Sequence, residues 1–247
     1  IIFWRAWNKH KAGSLLAHTK SRQNARKDLS LSRISQLPKN RSKPMEEVKA
    51  FPVEQIESLL WKGFINPRSS NESLPWLKYN LRDILITILC LYGGCRASEP
   101  LHLWVGDVYV DPDNPDSALV LIHEPSDGKI DYLDPITGNQ RSTTRADYLQ
   151  RFCGGLKPLT QETGRRHSGW KGCLLTHREK KAYQVFWIDK NAGKLFLTIW
   201  RLYIQNVRPV ALKTPWAFLT KEGQPLGMEG FDDSYRSALR RIGIKPS

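Results

Sequence analysis

The sequence predicts an α+β fold that is mainly helical and contains one small antiparallel sheet. Apolar residues recur at helical spacing before residue 93 and again after residue 190. Between these helical regions, short apolar runs are separated by turn-forming residues, a pattern typical of strands. The hydrophobic content of 40% is sufficient for a buried core, so the composition excludes a disordered chain.

Two regions of the chain differ in composition. Residues 1–47 form a basic tail that ends in a proline-containing linker, and residues 48–247 hold the clearest periodic segments. The first 50 residues contain 12 Lys and Arg but only 3 Asp and Glu. We therefore predict a domain over residues 48–247 that follows a separate basic tail.

The first helices of this domain have recognisable ends. A helix is predicted to begin at Pro52, since proline is favoured in the first turn. The strongest prediction is a helix over residues 81–92, where apolar residues follow the spacing i, i+3, i+4, i+7. Gly93 and Gly94 are expected to end it, because glycine accepts the left-handed conformation of a helix C-terminus.

The period of the sequence then changes. A short helix is expected to begin at Ser98 or Glu99, with Ser98 as its cap. Strands are predicted at residues 108–110, 118–123 and 182–188. Residues 124–170 are polar and predicted to be irregular, which is long for a loop in a compact domain. Further helices are predicted over residues 192–209 and around residues 231–242.

The charge of the chain indicates a polyanionic partner. The formal net charge is +14 and the sequence pI is about 9.7, which favours nucleic acid or an anionic membrane as the partner. Candidate contacts to the DNA backbone in the basic tail are Arg22, Arg26, Lys27, Lys39, Arg41 and Lys43. No segment has 18 consecutive uncharged apolar residues, so we expect no membrane span and a cytoplasmic protein.

The cysteines favour a reduced compartment without a metal centre. The four cysteines form no C-x-x-C pair, so we expect neither a disulfide framework nor a zinc site. His167, Cys173 and His177 are close in sequence, but their spacing matches no standard zinc pattern. We predict no metal ion and no cofactor.

Arg96 is the most distinctive position of the chain, in the stretch LYGGCRASEPLHLWVGDV at residues 91–108. Alone, it could cap the preceding helix, pair with Glu99 or bind an external anion. The stretch resembles the first arginine motif of the tyrosine recombinases, the phage-integrase family, which reads G-x-R-x-S-E before a leucine-rich helix and an aspartate. The residues in register are Gly94, Arg96, Ser98, Glu99, Leu103 and Asp107.

The resemblance covers roughly residues 48–247 and implies a recombinase catalytic domain with a small antiparallel sheet. Residues 1–47 would then be the tail of the family's core-binding domain with its linker. The implied activity is DNA strand exchange, in which a tyrosine attacks a backbone phosphate and stores the bond energy in a phosphotyrosine. Arg96 would stabilise the negative charge that develops on the phosphate oxygens, and Glu99 and Asp107 would support the site.

The resemblance also implies a catalytic lysine between the second and third strands of the sheet. We favour Lys171, because Trp170 and Gly172 on either side suggest an ordered segment. The alternatives are Lys180, Lys181 and Lys129.

The rest of the recombinase active site is missing from the 247 residues. None of the six histidines is followed by arginine three positions later, and no tyrosine occupies the position of the nucleophile. We therefore expect a catalytic domain that is incomplete at its C-terminus, monomeric and unable to cleave DNA by itself. The resemblance implies that a full-length protein is encoded by a bacterium, phage or mobile element and acts as a tetramer on paired DNA sites.

Two other functions fit the same sequence. One is a non-catalytic DNA-binding protein on the recombinase scaffold. The other is an RNA-binding protein, since nine tryptophans in a basic chain could stack on bases. Competition between duplex DNA and single-stranded RNA would separate the last from the first two.

Overall fold

The computed structural model describes residues 51–208 and 214–245, and every structural statement below refers to these residues. A compact unit begins at Glu57 and contains all the strands that the structure describes. The basic tail predicted over residues 1–47 lies outside the described residues. So do its candidate DNA contacts, Arg22, Arg26, Lys27, Lys39, Arg41 and Lys43.

Helices of very different length make up most of the ordered structure. The α-helices are α1 (Ile56–Ser58), α2 (Pro75–Lys78), α3 (Leu81–Tyr92), α4 (Arg145–Phe152), α5 (Lys190–Asn206) and α6 (Met228–Arg241). Short 3₁₀ turns lie at Val53–Gln55, Pro67–Ser69, Pro100–His102, Val105–Asp107, Leu159–Gln161 and Gly164–Arg166. A π-helical segment, Leu59–Gly63, follows α1 directly. The helix predicted to begin at Pro52 is thus present, but it changes from 3₁₀ to α and then to π geometry.

Five strands form two antiparallel sheets. They are β1 (Val108–Val110), β2 (Ala118–His123), β3 (Lys129–Leu133), β4 (Gln140–Thr144) and β5 (Ala182–Gln184). One sheet has the order β1-β2-β5, and the other is a hairpin of β3 and β4. The prediction of an α+β fold with small antiparallel sheet structure is confirmed, although it foresaw one sheet instead of two.

Helix α3 is the centre of the core and has the bounds that the sequence predicts. Its N-terminus is capped by Asn80, whose side chain accepts a hydrogen bond from the Asp83 backbone N–H at 3.3 Å. Gly93 ends the helix, and Gly94 follows with a φ of +68°, the left-handed conformation expected there. A Cβ on Gly93 would lie 2.6 Å from Cγ1 of Val185, so the close packing at the helix end requires glycine.

The third predicted strand is shorter than expected. Residues 182–188 were predicted, but β5 ends at Gln184. Beyond it the chain turns towards α3, and the Ile188 N–H donates to the Tyr92 carbonyl at 2.8 Å. The Trp187 indole N–H donates to the Ala118 carbonyl at 2.6 Å, so this residue packs across β2 and does not extend the sheet.

The prediction that residues 124–170 are irregular is wrong for a third of them. They contain the β3–β4 hairpin and helix α4. The hairpin turn is built by Asp134, whose side chain accepts from the Ile136 N–H at 2.9 Å, and by Gly138 with a φ of +68°. The strands went unrecognised because β4 is entirely polar and the alternation of β3 rests on Ile130 and Tyr132 alone.

The prediction of a helix that begins at Ser98 or Glu99 is also wrong. Two 3₁₀ turns occupy this region, and Ser98 makes no capping bond there. The turns are separated because Trp104 forms an isolated antiparallel bridge with Trp216, which requires extended backbone. A contact more than a hundred residues away in sequence thus overrides the local helical pattern.

The last two helices confirm the sequence predictions in their position and type. Helix α5 is capped by Asp189, whose side chain accepts from the Asn191 N–H at 2.8 Å, and it packs against α3. Helix α6 packs against α3 and against the π-helical segment. Among the described residues, no helix combines the length and apolar character needed to cross a membrane.

Candidate functional site

The site is built around the chain reversal between α3 and the first 3₁₀ turn. After Gly94, the Cys95 N–H donates to the Leu89 carbonyl at 3.1 Å, and the Glu99 N–H donates to the Arg96 carbonyl at 2.9 Å. These two bonds close tight loops on either side of Arg96. The backbone on both sides of Arg96 is therefore held by hydrogen bonds, although the Arg96 side chain is exposed.

Glu99 holds Arg96 through both the backbone and the side chain. Its Oε2 accepts from the Arg96 backbone N–H at 2.8 Å, and its Oε1 accepts from Nη1 at 3.1 Å. The two side chains differ sharply in exposure, with 56% for Arg96 and 6% for Glu99. A buried carboxylate thus orients a guanidinium that reaches solvent.

Tyr183 on β5 is a part of the site that the sequence did not reveal. Its hydroxyl donates to Oε2 of Glu99 at 2.9 Å and lies 3.6 Å from the Cys95 sulfur. Burial raises the pKa of Tyr183 well above its ordinary value, and the neighbouring Cys95 and Glu99 raise it further, so the hydroxyl stays protonated and donates. Tyr183 and Glu99 are 84 residues apart, and no local pattern signals such a pair.

The segment at residues 167–173 lies against the Arg96 turn. The Gly172 carbonyl accepts from Nη1 of Arg96 at 3.2 Å, and the Ser168 hydroxyl donates to the Ser98 carbonyl at 3.2 Å. Lys171, the favoured candidate, directly precedes Gly172 and is exposed. The residue that follows Lys171 in the chain therefore contacts Arg96 directly, although the two are 76 positions apart in sequence.

The His102 side chain contacts the same segment, residues 167–173. Its Nε2 lies 3.3 Å from the Gly169 carbonyl, and the Trp170 ring meets the imidazole edge-on at a centroid distance of 5.6 Å. Burial lowers the pKa of His102 to about 4, although the bond to Gly169 opposes this shift. At neutral pH the ring is uncharged, with its Nε2 proton donated to Gly169.

The alternative lysines lie elsewhere. Lys181 has a φ of +48° and an ion pair with Asp127 at 2.7 Å. Lys129 and Lys180 are joined by a bond from the Lys129 N–H to the Lys180 carbonyl at 2.9 Å. Both line a cavity whose wall does not include Arg96.

Asp107, the last residue of the motif, forms a buried ionic cluster. Its Oδ2 accepts from the Trp104 N–H at 2.7 Å, and its Oδ1 pairs with Nη2 of Arg145. Burial opposes its ionisation, but Arg145 and His123 outweigh burial and hold the pKa of Asp107 below its usual value. Its partner Arg145 lies in the segment 124–170 that the sequence predicts to be irregular, so this pair was not foreseen.

The cysteines of the described residues are free thiols and offer no reactive group near neutral pH. Burial raises the pKa of Cys90 to about 12 and that of Cys173 to about 11. Within residues 51–208 and 214–245, no group of three His, Cys, Asp or Glu side chains is placed to hold a metal ion.

The guanidinium of Arg96 retains unused donors. Nη1 makes both side-chain hydrogen bonds, to Glu99 and Gly172, while Nε and Nη2 have no partner among the described residues. A planar guanidinium can grip two oxygens of a phosphate or carboxylate through such free N–H groups. The turn can therefore accept an oxyanion from solvent without breaking its own contacts.

Comparison with known proteins adds no relative: no family model, curated protein or solved structure matches this chain. The function has to be argued from the site alone.

Proposed function

We propose that the Arg96 turn binds a phosphate of the DNA backbone, in a catalytic domain of the tyrosine-recombinase type that exchanges DNA strands. The observation that carries this proposal is the arrangement of the motif residues. Arg96 is exposed and oriented by the buried Glu99, and it keeps N–H donors for an external oxyanion. Phosphoryl transfer requires cationic donors that are already in place when negative charge develops on the oxygens.

Lys171 is the second group of the proposed site. Its segment is bonded to the turn through Gly172 and Ser168, so the backbone of Lys171 is held one residue from a direct contact of Arg96. We assign to Lys171 the proton transfer to the leaving 5′-oxygen, the role that the family resemblance implies. Lys181 suits this role less well, because it is paired with Asp127.

We expect this chain to bind DNA without cleaving it. The 247 residues contain neither an H-x-x-R sequence nor a tyrosine that we assign as the nucleophile. We therefore expect this chain to bind duplex DNA through phosphate contacts, with affinity that falls steeply with salt. We expect no covalent adduct with a nicked suicide substrate.

Fluorescence anisotropy with labelled duplex DNA at low salt tests the binding. Loss of a charge-assisted hydrogen-bonding group costs about 1.5–3 kcal/mol, so Arg96→Ala should weaken binding by about tenfold or more, and Arg96→Lys by less. The control is Arg151→Ala, which removes an exposed, ion-paired arginine from α4. Equal affinities for Arg96→Ala and the control would refute the phosphate site.

Competition completes the test of function. Unlabelled duplex DNA should displace the labelled duplex more effectively than single-stranded RNA of equal length does. If the RNA competes better, the alternative of an RNA-binding protein replaces the proposal. A covalent adduct in the suicide-substrate assay would instead overturn the separation of binding from cleavage.

A further inference from the structure

A second polar site lies between the main sheet and the β3–β4 hairpin. This cavity, the Arg145 cavity, has a volume of about 400 Å³. Its wall includes Asp107, His123, Lys129, Arg145, Lys180 and Thr214. The volume falls within the roughly 300–1,000 Å³ typical of small-molecule sites. Arg96 does not contribute to the wall, so the cavity is distinct from the proposed DNA site.

Two buried polar atoms in this wall lack hydrogen-bond partners. They are Nε of Arg145 and Oγ1 of Thr214, and no other buried side-chain nitrogen or oxygen among the described residues is unsatisfied. Arg145 has a side-chain exposure of 1%. Leaving such groups unpaired costs about 1–3 kcal/mol each. Both residues line the same cavity, so this is the place where a ligand could supply the missing partners.

The charge of the wall selects an anion. Asp107 is paired with Arg145, so these two charges offset each other. Lys129 and Lys180 carry no ion pair in the described part of the chain, unlike the adjacent Lys181, which is paired with Asp127. Asp131 is the remaining carboxylate of the wall, and it is outnumbered by these two lysines.

Backbone geometry fixes the two lysines at the same edge. The Lys129 N–H donates to the Lys180 carbonyl at 2.9 Å, which ties the start of β3 to the residues that lead into β5. The two ammonium groups therefore come from elements that cannot separate without breaking this bond. Such a pair provides a preformed cationic rim for an anionic group.

Aromatic rings make up another part of the wall. Trp104, Tyr109 and Tyr148 all line the cavity, and the Arg145 guanidinium lies 4.3 Å from the centroid of the Trp104 ring. Tyr109 is 46% exposed, so its ring is accessible to a planar ligand. Aromatic walls and cations in one cavity favour a ligand with both a flat ring and a phosphate.

We propose that the Arg145 cavity binds a small phosphorylated molecule with a planar ring, of the class of a nucleoside monophosphate. The phosphate is held at the rim by Lys129 and Lys180, and the polar groups of the ligand complete the bonds of Arg145 and Thr214. A phosphate on a DNA duplex would reach the exposed rim but not the buried Arg145, which favours a free small molecule. This site does not depend on the DNA-binding role of Arg96.

Isothermal titration calorimetry of the full 247-residue chain with AMP tests the proposal. We expect one AMP per chain and at least tenfold weaker binding for the double variant Lys129→Ala, Lys180→Ala. Thr214→Val, which removes only a hydroxyl, should weaken binding severalfold. The control Lys190→Ala, which removes one exposed lysine at the start of α5, should leave AMP affinity within twofold of wild type.

Three further measurements test whether the cavity binds phosphate alone, depends on Arg96 or binds duplex DNA. Inorganic phosphate should bind more weakly than AMP, and equal affinities would overturn the assignment of a planar ring. Arg96→Ala should leave AMP binding unchanged, which keeps a failure here separate from a failure of the proposed DNA site. If AMP does not bind at millimolar concentration, or if duplex DNA displaces it and loses affinity in the double lysine variant, the small-molecule site is overturned.

Discussion

Arg96 and Arg145 each pair with a carboxylate of the same motif, but they lie in opposite environments. Arg96 is 56% exposed and bonded to Glu99 three residues away, whereas Arg145 is 1% exposed and bonded to Asp107 from another element. An exposed pair contributes little to stability and leaves its cation available, while breaking a buried pair strands a charge. The comparison shows that Arg96 keeps its charge accessible to solvent, whereas the charge of Arg145 is used inside the fold.

The largest expected effect comes from removing the buried cation. Arg145→Met keeps most of the side-chain volume but leaves the Asp107 carboxylate buried with only His123 and a backbone N–H as partners. Loss of one member of a buried pair costs about 3–5 kcal/mol of unfolding free energy, to be measured by urea denaturation. Arg151→Met on the same helix, where the arginine is 62% exposed, should cost less than about 1 kcal/mol.

A second variant keeps this prediction decisive if Arg145→Met does not fold. Adding Asp107→Asn removes the stranded charge and should restore a measurable part of the stability. If Arg145→Met and Arg151→Met have equal unfolding free energies, the contrast between the buried and the exposed arginine is wrong.

The next effect concerns His102, which connects the two regions. Its backbone carbonyl accepts from Nη1 of Arg145 at 3.1 Å, and its ring lies against Gly169 of the segment beside Arg96. Its pKa is about 4 in the fold, below the ordinary 6.5, so between these pH values the unfolded chain takes up a proton that the folded chain does not. The contribution of His102 to the unfolding free energy is therefore complete above pH 6.5, and it falls by about 3 kcal/mol as the pH is lowered to 4.

Urea denaturation across this pH range measures the effect. His102→Gln removes the titrating group, so the difference in unfolding free energy between wild type and variant should change with pH from 6.5 to 4. Parallel pH profiles for the two proteins would contradict the buried neutral histidine.

A smaller effect is expected from the hydroxyl that holds Glu99. Tyr183→Phe removes the donor to Oε2 of Glu99, and a hydrogen bond to a charged group contributes about 1.5–3 kcal/mol. Because Glu99 orients Arg96, duplex affinity should also fall, but less than in Arg96→Ala. Tyr235→Phe is the matched control, since the Tyr235 hydroxyl has no hydrogen-bond partner among the described residues. A loss of stability without any change in DNA affinity would limit Tyr183 to a structural role.

The smallest expected change in stability is that of Arg96 itself. Arg96→Ala should alter the unfolding free energy by less than about 1 kcal/mol, because its ion pair with Glu99 is exposed on the arginine side. The same variant should lose DNA affinity, so stability and binding separate at this position. A stability loss as large as that of Arg145→Met would make Arg96 a structural residue.

Local pattern was a good guide wherever the structure is local. Helix α3 and the glycines after it follow from apolar spacing and from the conformational freedom of glycine, and both were predicted with the right bounds. Strands β1 and β2 were also predicted correctly, because both are short apolar runs bounded by turn-forming residues, although only β2 is buried. The pairing of Arg96 with Glu99 was open to prediction too, since three residues in a turn are neighbours.

Prediction failed where distant contacts decide the conformation. The 3₁₀ turns at residues 100–107 replace a predicted helix because Trp104 pairs with Trp216. Strand β4 is entirely polar and the alternation of β3 is only two residues long, so the hairpin is recognised mainly through the pairing of its strands. Tyr183 looked like an ordinary strand residue until the fold placed its hydroxyl on Glu99.

The sequence by itself determined the α+β class, the central helix and the arginine at its glycine end, because these depend on short-range periodicity and backbone freedom. Tertiary structure alone decided which distant groups meet that arginine: the Gly172 carbonyl, 76 residues away, and Tyr183 through Glu99. It alone also buried Arg145 against Asp107, 38 residues away, and formed a cavity around this pair. The physical reason is that long-range contacts arise from closing loops over a packed core, and residue spacing along the chain carries no record of that closure.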